Sequence, residues 1–295
     1  MDVTVCQKLD GDSAAEVRAL VQAAATVDDL APLSEHVLMR LSHPGDHDLH
    51  VLARTGGELS GYLHFDRTDA LSGAVVEIVV HPAHRRRGIG TALIRTALET
   101  AGDTTVRLWA HGELHGAYEL AESLGFAKSR ELWQMRRSLF APLPRPACPE
   151  GISVRTFAPG EDDDAWLAVN ALVFADHPEQ GRLSSGDLAL RMAEPWFDPA
   201  GFLLAERGGR ITGFHWTKVH PGSGIGEVYV LGVVPSERGT GLGRYLAVRG
   251  LEHLRGRGLG TAMLYVDADN TAAVSMYESI GFMHWDSDVM FDARG

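Results

Sequence analysis

Val228-Tyr229-Val230-Leu231-Gly232-Val233-Val234-Pro235-Ser236-Glu237-Arg238-Gly239-Thr240-Gly241-Leu242-Gly243 reads as an apolar strand, a Pro-marked turn and an Arg-x-x-Gly-x-Gly loop opening a helix. The same layout stands 153 residues earlier, from Val75 through Pro82, Arg85, Gly88 and Gly90. The offset holds at the proline, the arginine and both glycines, so the chain repeats one α/β unit in tandem. Such a loop aims successive backbone N–H groups at one point, at the positive end of a helix dipole, and glycine lets an anion approach the backbone closely. An anion-binding turn is expected in each half.

Working outward, the two halves follow a similar order. Hairpins around Gly56-Gly57 and Gly208-Gly209 precede the repeated strand–loop–helix. The expected strands are His50–Arg54 and Leu59–Asp66 in the first half, Phe202–Glu206 and Arg210–His220 in the second. A further strand follows (Thr105–Ala110, then Met263–Asp267), and a helix ends at Leu124-Gly125-Phe126 or Ile280-Gly281-Phe282. Asp12 or Ser13 is expected to cap the first helix, and the acidic run Glu161–Asp164 to sit at a helix start. The fold class is α/β, a mixed sheet with helices on its faces. Four prolines between Phe140 and Gly151 mark an extended linker, giving expected segments 1–140, 141–151 and 152–295.

The 295 residues exceed what one hydrophobic core usually serves. A formal charge of −12 argues against a general nucleic-acid or membrane-surface binder, whereas local positive charge such as Arg85-Arg86-Arg87 suits a small anion. With Cys6 and Cys148 as the cysteines, no disulfide framework is indicated, and with no basic–apolar leader at the start a reducing cytoplasm is expected. His43, His47 and His50 straddle a Pro-Gly turn without a metal-ligand spacing, so no metal is expected. The expected partner is a small molecule, neither nucleic acid nor membrane, and the expected state a monomer.

No P-loop spacing is present, and the glycines do not follow the dinucleotide Gly-x-Gly-x-x-Gly pattern. The layout instead resembles the GNAT acetyltransferases, completed by Asn270, Ala273, Tyr277, Gly281 and Phe282 in the pattern Asn-x-x-Ala-x-x-x-Tyr-x-x-x-Gly-Phe. The resemblance implies two tandem GNAT domains, each a mixed, mostly antiparallel sheet, with acetyl-CoA as co-substrate. It implies coenzyme contacts at Leu231, Gly232 and Val233, at Arg238, Gly239, Thr240, Gly241, Leu242, Gly243 and Arg244, and at Asn270, Thr271, Ala272, Ala273, Val274 and Ser275. The first-half equivalents are Ile78, Val79, Val80, Arg86, Arg87, Gly88, Ile89, Gly90 and Thr91. Thr240 departs from the basic residue many relatives carry there.

Aminolysis of a thioester needs a neutral amine, a stabilised oxyanion and a proton for the departing thiolate. Glu227 begins the repeated strand and suits the base; strict alternation would put it on one face with Tyr229, Leu231 and Val233. Tyr277, on the last helix, suits the acid. The equivalents in the first half are Ala74 and Ala121, with Leu114 opposite Asn270, so the first half is expected to lack chemistry.

The stretches that differ between halves, among them Ala31-Pro32, His177–Gly181, Trp196–Pro199 and Gly213–Pro221, resemble a tandem GNAT family that acetylates the cysteinyl amine of a cysteine–glucosamine–inositol conjugate, desacetylmycothiol. That resemblance implies acceptor contacts at Glu35, Glu179, Lys218, Glu227 and Tyr265. The residues by themselves leave two alternatives open: another small amine, such as an aminoglycoside or a peptide N-terminus, and a non-catalytic acetyl-CoA-binding sensor.

Overall fold

The computed structural model describes residues 1–68, 73–175, 177 and 180–293. Two compact units emerge: Met1–Leu132 with Asp286–Gly295, and Trp133–Trp285. The expected segments are 1–140 and 152–295; the second unit is one continuous stretch, whereas the first joins Met1–Leu132 to Asp286–Gly295. The difference arises at the end of the chain. The last strand, β12 (Met283–Ala293), pairs antiparallel with β5 (Val106–Ala110), Val289 opposite Ala110 and Asp292 opposite Arg107. Residues 133–138 of β6 (Phe126–Ser138) belong with the second unit.

In the first unit the strand order is β1-β2-β3-β4-β5-β12, with β1 (Asp2–Cys6), β2 (Asp48–Thr55), β3 (Glu58–Asp66) and β4 (Ala74–Val80). The pairs β1–β2, β2–β3 and β3–β4 are antiparallel, and β4–β5 is parallel. One face packs on α3 (Ile89–Ala101): Leu63, Phe65, Ala74 and Val76 meet Leu93, Ile94 and Ala97. The other packs on α1 (Gly11–Asp28) and α2 (Glu35–Arg40), where Tyr62 and Val79 meet Val17, Leu20 and Val37. Asp10, not Asp12 or Ser13, caps α1, its carboxylate accepting from the Ser13 N–H at 2.7 Å. The helix begins at Gly11, which puts Ser13 inside the first turn, where its N–H seeks an acceptor.

The second unit runs β6-β11-β10-β9-β8-β7, with β7 (Ile152–Thr156), β8 (Phe202–Arg207), β9 (Arg210–His220), β10 (Ile225–Val233) and β11 (Thr261–Asp267). β10 is antiparallel to β9 and parallel to β11. α7 (Leu242–Gly256) and α8 (Thr271–Ser279) cover one face; α5 (Asp163–Val173) and α6 (Ser185–Met192) contribute Trp166 and Leu188 to an aromatic cluster on the other. Asp163 and Asp164 occupy the first turn of α5, as the acidic run suggested. Among the described residues no helix is long and apolar enough to cross a membrane, and no group of three or more His, Cys, Asp and Glu is arranged to hold a metal.

A buried charge cluster fastens β12 within the first unit. His111 lies 3.0 Å from Glu77 through Nε2 and 3.0 Å from Asp288 through Nδ1, while Ser34 donates to Glu77 through both N–H and hydroxyl. Burial opposes the charge on His111, but the two carboxylates overcome it and push its pKa up to about 10. Burial likewise works against ionised Glu77, and His111 with Ser34 brings it down to about 2. The His111 contribution to stability is therefore complete below about pH 6.5 and lost as pH rises through about 10. That of Glu77 is present above about 4.3 and lost as pH falls through about 2. His111→Gln is expected to cost about 3 kcal/mol near neutrality, by leaving buried carboxylates unpaired. Urea titrations should show this gap narrowing as the pH approaches about 10; a gap independent of pH would refute the charged pairing.

Candidate active site

The register of β10 against β9 shifts between Val228 and Val230, leaving Tyr229 as the extra residue of a β-bulge. Strict alternation is thereby broken. Leu231 and Val233 pack on α7 with Leu242 and Leu246, whereas Tyr229 packs among Trp166, Leu188 and Trp196 on the opposite face. Glu227, in register with Lys218 of β9, lies on that second face too. The expectation that Glu227 and Tyr229 share a face with Leu231 and Val233 is corrected by this one inserted residue. The parallel pairing of β10 with β11 runs from Ile225–Thr261 to Val228–Leu264, while β10 continues to Val233.

Glu227 is buried at 7% exposure, and its Oε2 lies 2.7 Å from His220 Nε2. An ionised carboxylate only accepts, so the imidazole donates from Nε2. The other ring nitrogen belongs to a side chain one-third exposed. Lys218 is also buried, its Nζ 4.9 Å from the Trp196 ring centre and 5.1 Å from that of Tyr229. Faces of aromatic rings attract a desolvated ammonium by up to about 2 kcal/mol. Arg191 of α6 fixes Tyr229 by donating from Nε to its hydroxyl at 2.9 Å. Sequence reading missed His220, Trp196, Arg191 and the role of Tyr229. A period-two reading of β9, which groups Trp216, Lys218 and His220, was the available signal for His220.

The glycine loop sits at the start of α7. Gly241 is its N-cap at φ 87° with no side-chain cap, and Gly239 has φ 78°. Around the place of a Cβ on either glycine there is nothing within 4 Å. Arg238 and Arg244 are exposed, and Thr240 is held by its own loop, its hydroxyl donating to Glu237 O at 2.8 Å. The loop thus offers open space beside its glycine backbone and two exposed cations, which suits a polyanionic ligand. Asn270 caps α8, accepting from the Ala273 N–H at 3.2 Å, and Thr271, Ala272, Ala273, Val274 and Ser275 form the first turns of that helix. Tyr277 is buried on the α7 side against Phe282, and burial raises its phenol pKa far above the ordinary range. Tyr265 is 40% exposed on β11 and accepts from Gln134 Nε2 at 2.9 Å. Glu35 opens α2 in the first unit; Glu179 lies outside the described residues.

The first copy keeps the loop and fills what surrounds it. Arg86, the equivalent of Gly239, takes the same left-handed backbone at φ 61°, and Gly88 caps α3 at φ 79°. Two of its three arginines are engaged, however. Arg85 grips Asp28 with bonds of 2.7 and 2.6 Å, and Arg86 pairs with Glu119 at 2.9 Å. A Cβ on Gly90 would meet Leu120 at 2.7 Å, whereas one on Gly243 would meet only Val233 at 3.9 Å. β4 pairs with β3 in unbroken register, so Ala74, Val76, Ile78 and Val80 all face α3. There is no bulge, and no carboxylate at the equivalent of Glu227.

Residues 16–126 and 166–282 each match the model of the acetyltransferase (GNAT) family. The chain belongs to that family, as a tandem pair, and is an N-acetyltransferase. Within it, the similarity runs over nearly the whole length to proteins named mycothiol acetyltransferase. That of Thermobispora bispora is 53% identical over 287 residues, covering 95% of this chain and 96% of its own. That of Salinispora arenicola is 52% identical, covering 98% and 96%. Among solved structures, a GCN5-related N-acetyltransferase from Sphaerobacter thermophilus aligns at TM-score 0.74 and 25% identity over 98% of this chain and 95% of its own. A tandem GNAT protein of the clavulanic acid pathway aligns at 0.77 over 99% and 98%, its 20% identity speaking to fold.

One contact seats α7 and hence its loop. A Cβ on Gly250 would lie 2.0 Å from the His215 ring, whose Nδ1 donates to Leu246 O at 2.7 Å. Burial lowers the His215 pKa to about 4, so the ring is a neutral wedge between helix and sheet. Gly250→Ala should destabilise the fold by about 2 kcal/mol despite alanine's higher helix propensity, because the overpacked ring has to shift. Thermal unfolding with an unchanged or higher Tm would contradict that.

Proposed function

We propose that this chain transfers the acetyl group of acetyl-CoA to the cysteinyl amine of desacetylmycothiol, giving mycothiol, with the second copy performing the reaction. The carrying observation is the bulge that turns Glu227 onto the face of Lys218, in the copy whose glycine loop has open space beside Gly239 and Gly241. The near-full-length similarity to mycothiol acetyltransferases supports the choice of acceptor.

Acetyl-CoA supplies an activated acetyl thioester. The loop Arg238–Arg244, with open space beside Gly239 and Gly241, suits its phosphates, and the first turns of α8, Asn270–Ser275, suit its pantetheine. The backbone of Leu231, Gly232 and Val233, beyond the last β10–β11 pair, suits its amide groups and carbonyl. Ile78–Val80 and Arg86–Thr91 form a second such cradle in the first copy. Glu227 takes the proton of the acceptor's ammonium, which titrates near about 8 and so needs only a modest base. His220 holds Oε2 and leaves Oε1 for the amine. Lys218, with Tyr265, takes polar groups of the acceptor. Tyr277 stays protonated and donates to the departing sulfur. The deciding measurement is kcat/KM for the cysteinyl-glucosaminyl-inositol conjugate against cysteine amide and an aminoglycoside. Preference for the aminoglycoside, or none, refutes the acceptor.

Gly241→Val should remove nearly all transfer, because a side chain there enters the space left open for the ligand and is strained at positive φ. Gly88→Val should lower kcat far less. Equal losses, with circular dichroism unchanged in both, would overturn the assignment of chemistry to the second copy.

Glu227→Gln is expected to lower kcat by roughly 10²–10⁴-fold, with Tyr277→Phe milder because a thiolate leaves readily even unprotonated. His220→Ala should lower kcat by about tenfold with acetyl-CoA KM little changed, and His220→Gln, which keeps an N–H donor, should recover part of it. Steady-state kinetics showing wild-type kcat in Glu227→Gln would eliminate the base.

A further inference from the structure

On the Glu227 face, a row of side chains continues across the second unit away from the loop. Met263 is the parallel register partner of Glu227, so Tyr265, two residues on along β11, points to the same face. Tyr265 accepts from Gln134 Nε2 at 2.9 Å, and Gln134 Oε1 accepts from Arg136 Nε at 2.7 Å. The Arg136 guanidinium lies 4.5 Å from the centre of the Trp285 ring. Alternation agrees: Met135 and Phe282 point into the α7–α8 core, which sends Gln134, Arg136 and Trp285 to the opposite face.

The exposures are unusual for such residues. Gln134 is 5% exposed and fixed by its two partners, whereas Trp285 is 63% exposed with Arg136 on one side of its ring. A buried, oriented amide, a guanidinium, a phenol and an open indole face side by side match a polyhydroxylated ring. Hydroxyls take the polar groups, while the C–H surface of the ring lies on the indole. Strand order β12-β6-β11-β10 puts Trp285 three strand spacings from Glu227, about 14 Å at ~4.8 Å each. A ring bound there is thus well removed from the reacting amine.

We propose that Tyr265, Gln134, Arg136 and Trp285 form a subsite for a cyclic polyol, receiving the sugar–inositol end of the acceptor while its amine is at Glu227. This rests on the acceptor reading given above, and it adds Gln134, Arg136 and Trp285 as residues that set specificity.

The experiment compares kcat/KM for cysteinyl-glucosaminyl-inositol with that for cysteine amide, in the full-length chain and in Trp285→Ala, Arg136→Ala and Trp285→Tyr. Trp285→Ala and Arg136→Ala should each reduce the ratio of the two by about three- to tenfold, through KM for the conjugate, the scale of one lost aromatic or charge-assisted contact. Trp285→Tyr should restore most of the ratio, because an aromatic face is kept. If wild type shows no preference for the conjugate, the acceptor reading falls and the subsite with it. If wild type prefers the conjugate and both alanine variants keep the same ratio, the subsite alone is refuted. A loss in Trp285→Ala that Trp285→Tyr does not restore overturns the stacking role.

Discussion

One extra residue in β10 governs what the second copy can do. Without the bulge at Tyr229, Glu227 would point toward α7, as Ala74 points toward α3 in the first copy. A carboxylate there would be buried among Val228, Leu251 and Leu254 with no partner, at a cost of several kcal/mol. The bulge instead delivers it to a face already prepared for charge, where His220 donates to it and Lys218 lies opposite. The same inserted residue puts the Tyr229 ring beside the Lys218 ammonium. The face of Glu227 and the place of the Tyr229 ring therefore follow from a single change in backbone register.

The two copies show which parts of a repeated unit survive a division of labour. The loop and its helix persist, to the extent that Arg86 holds a left-handed backbone that costs a non-glycine residue on the order of 1 kcal/mol. Yet the groups around the first loop are spent on internal bonds: Arg85 on Asp28, Arg86 on Glu119, and Leu120 against Gly90. Where the second copy carries Glu227 beside His220, the first carries Glu77 in a closed cluster with His111, Ser34 and Asp288. That carboxylate is committed to holding the last strand of the chain. Chemistry needs a group with one unsatisfied valence, and structure removes it.

The site of the second unit also sets a buried ammonium against the faces of two aromatic rings. Lys218 is nearly enclosed, and two ring faces stand in for part of its lost hydration. Arg191 holds the Tyr229 ring, so a residue on α6 shapes the wall seen by Lys218 on β9.

Much was legible in the sequence because it is local. The repeat, the α/β class, the hairpins at Gly56-Gly57 and Gly208-Gly209 and the glycine loops follow from spacing and from the turns that glycine favours. The loss of Glu227 and Tyr277 equivalents in the first half is likewise a matter of alignment. What the sequence could not decide depends on pairing between distant segments. Alternation has no term for a bulge, which is fixed by how β10 registers on β9, so the face of Glu227 could not be read. The partnership of His220 with Glu227 follows from that register. The seat of β12 beside β5 depends on Asp288 meeting His111, 177 positions apart in the chain. Local preference sets which elements form; only packing in three dimensions sets which of their side chains meet.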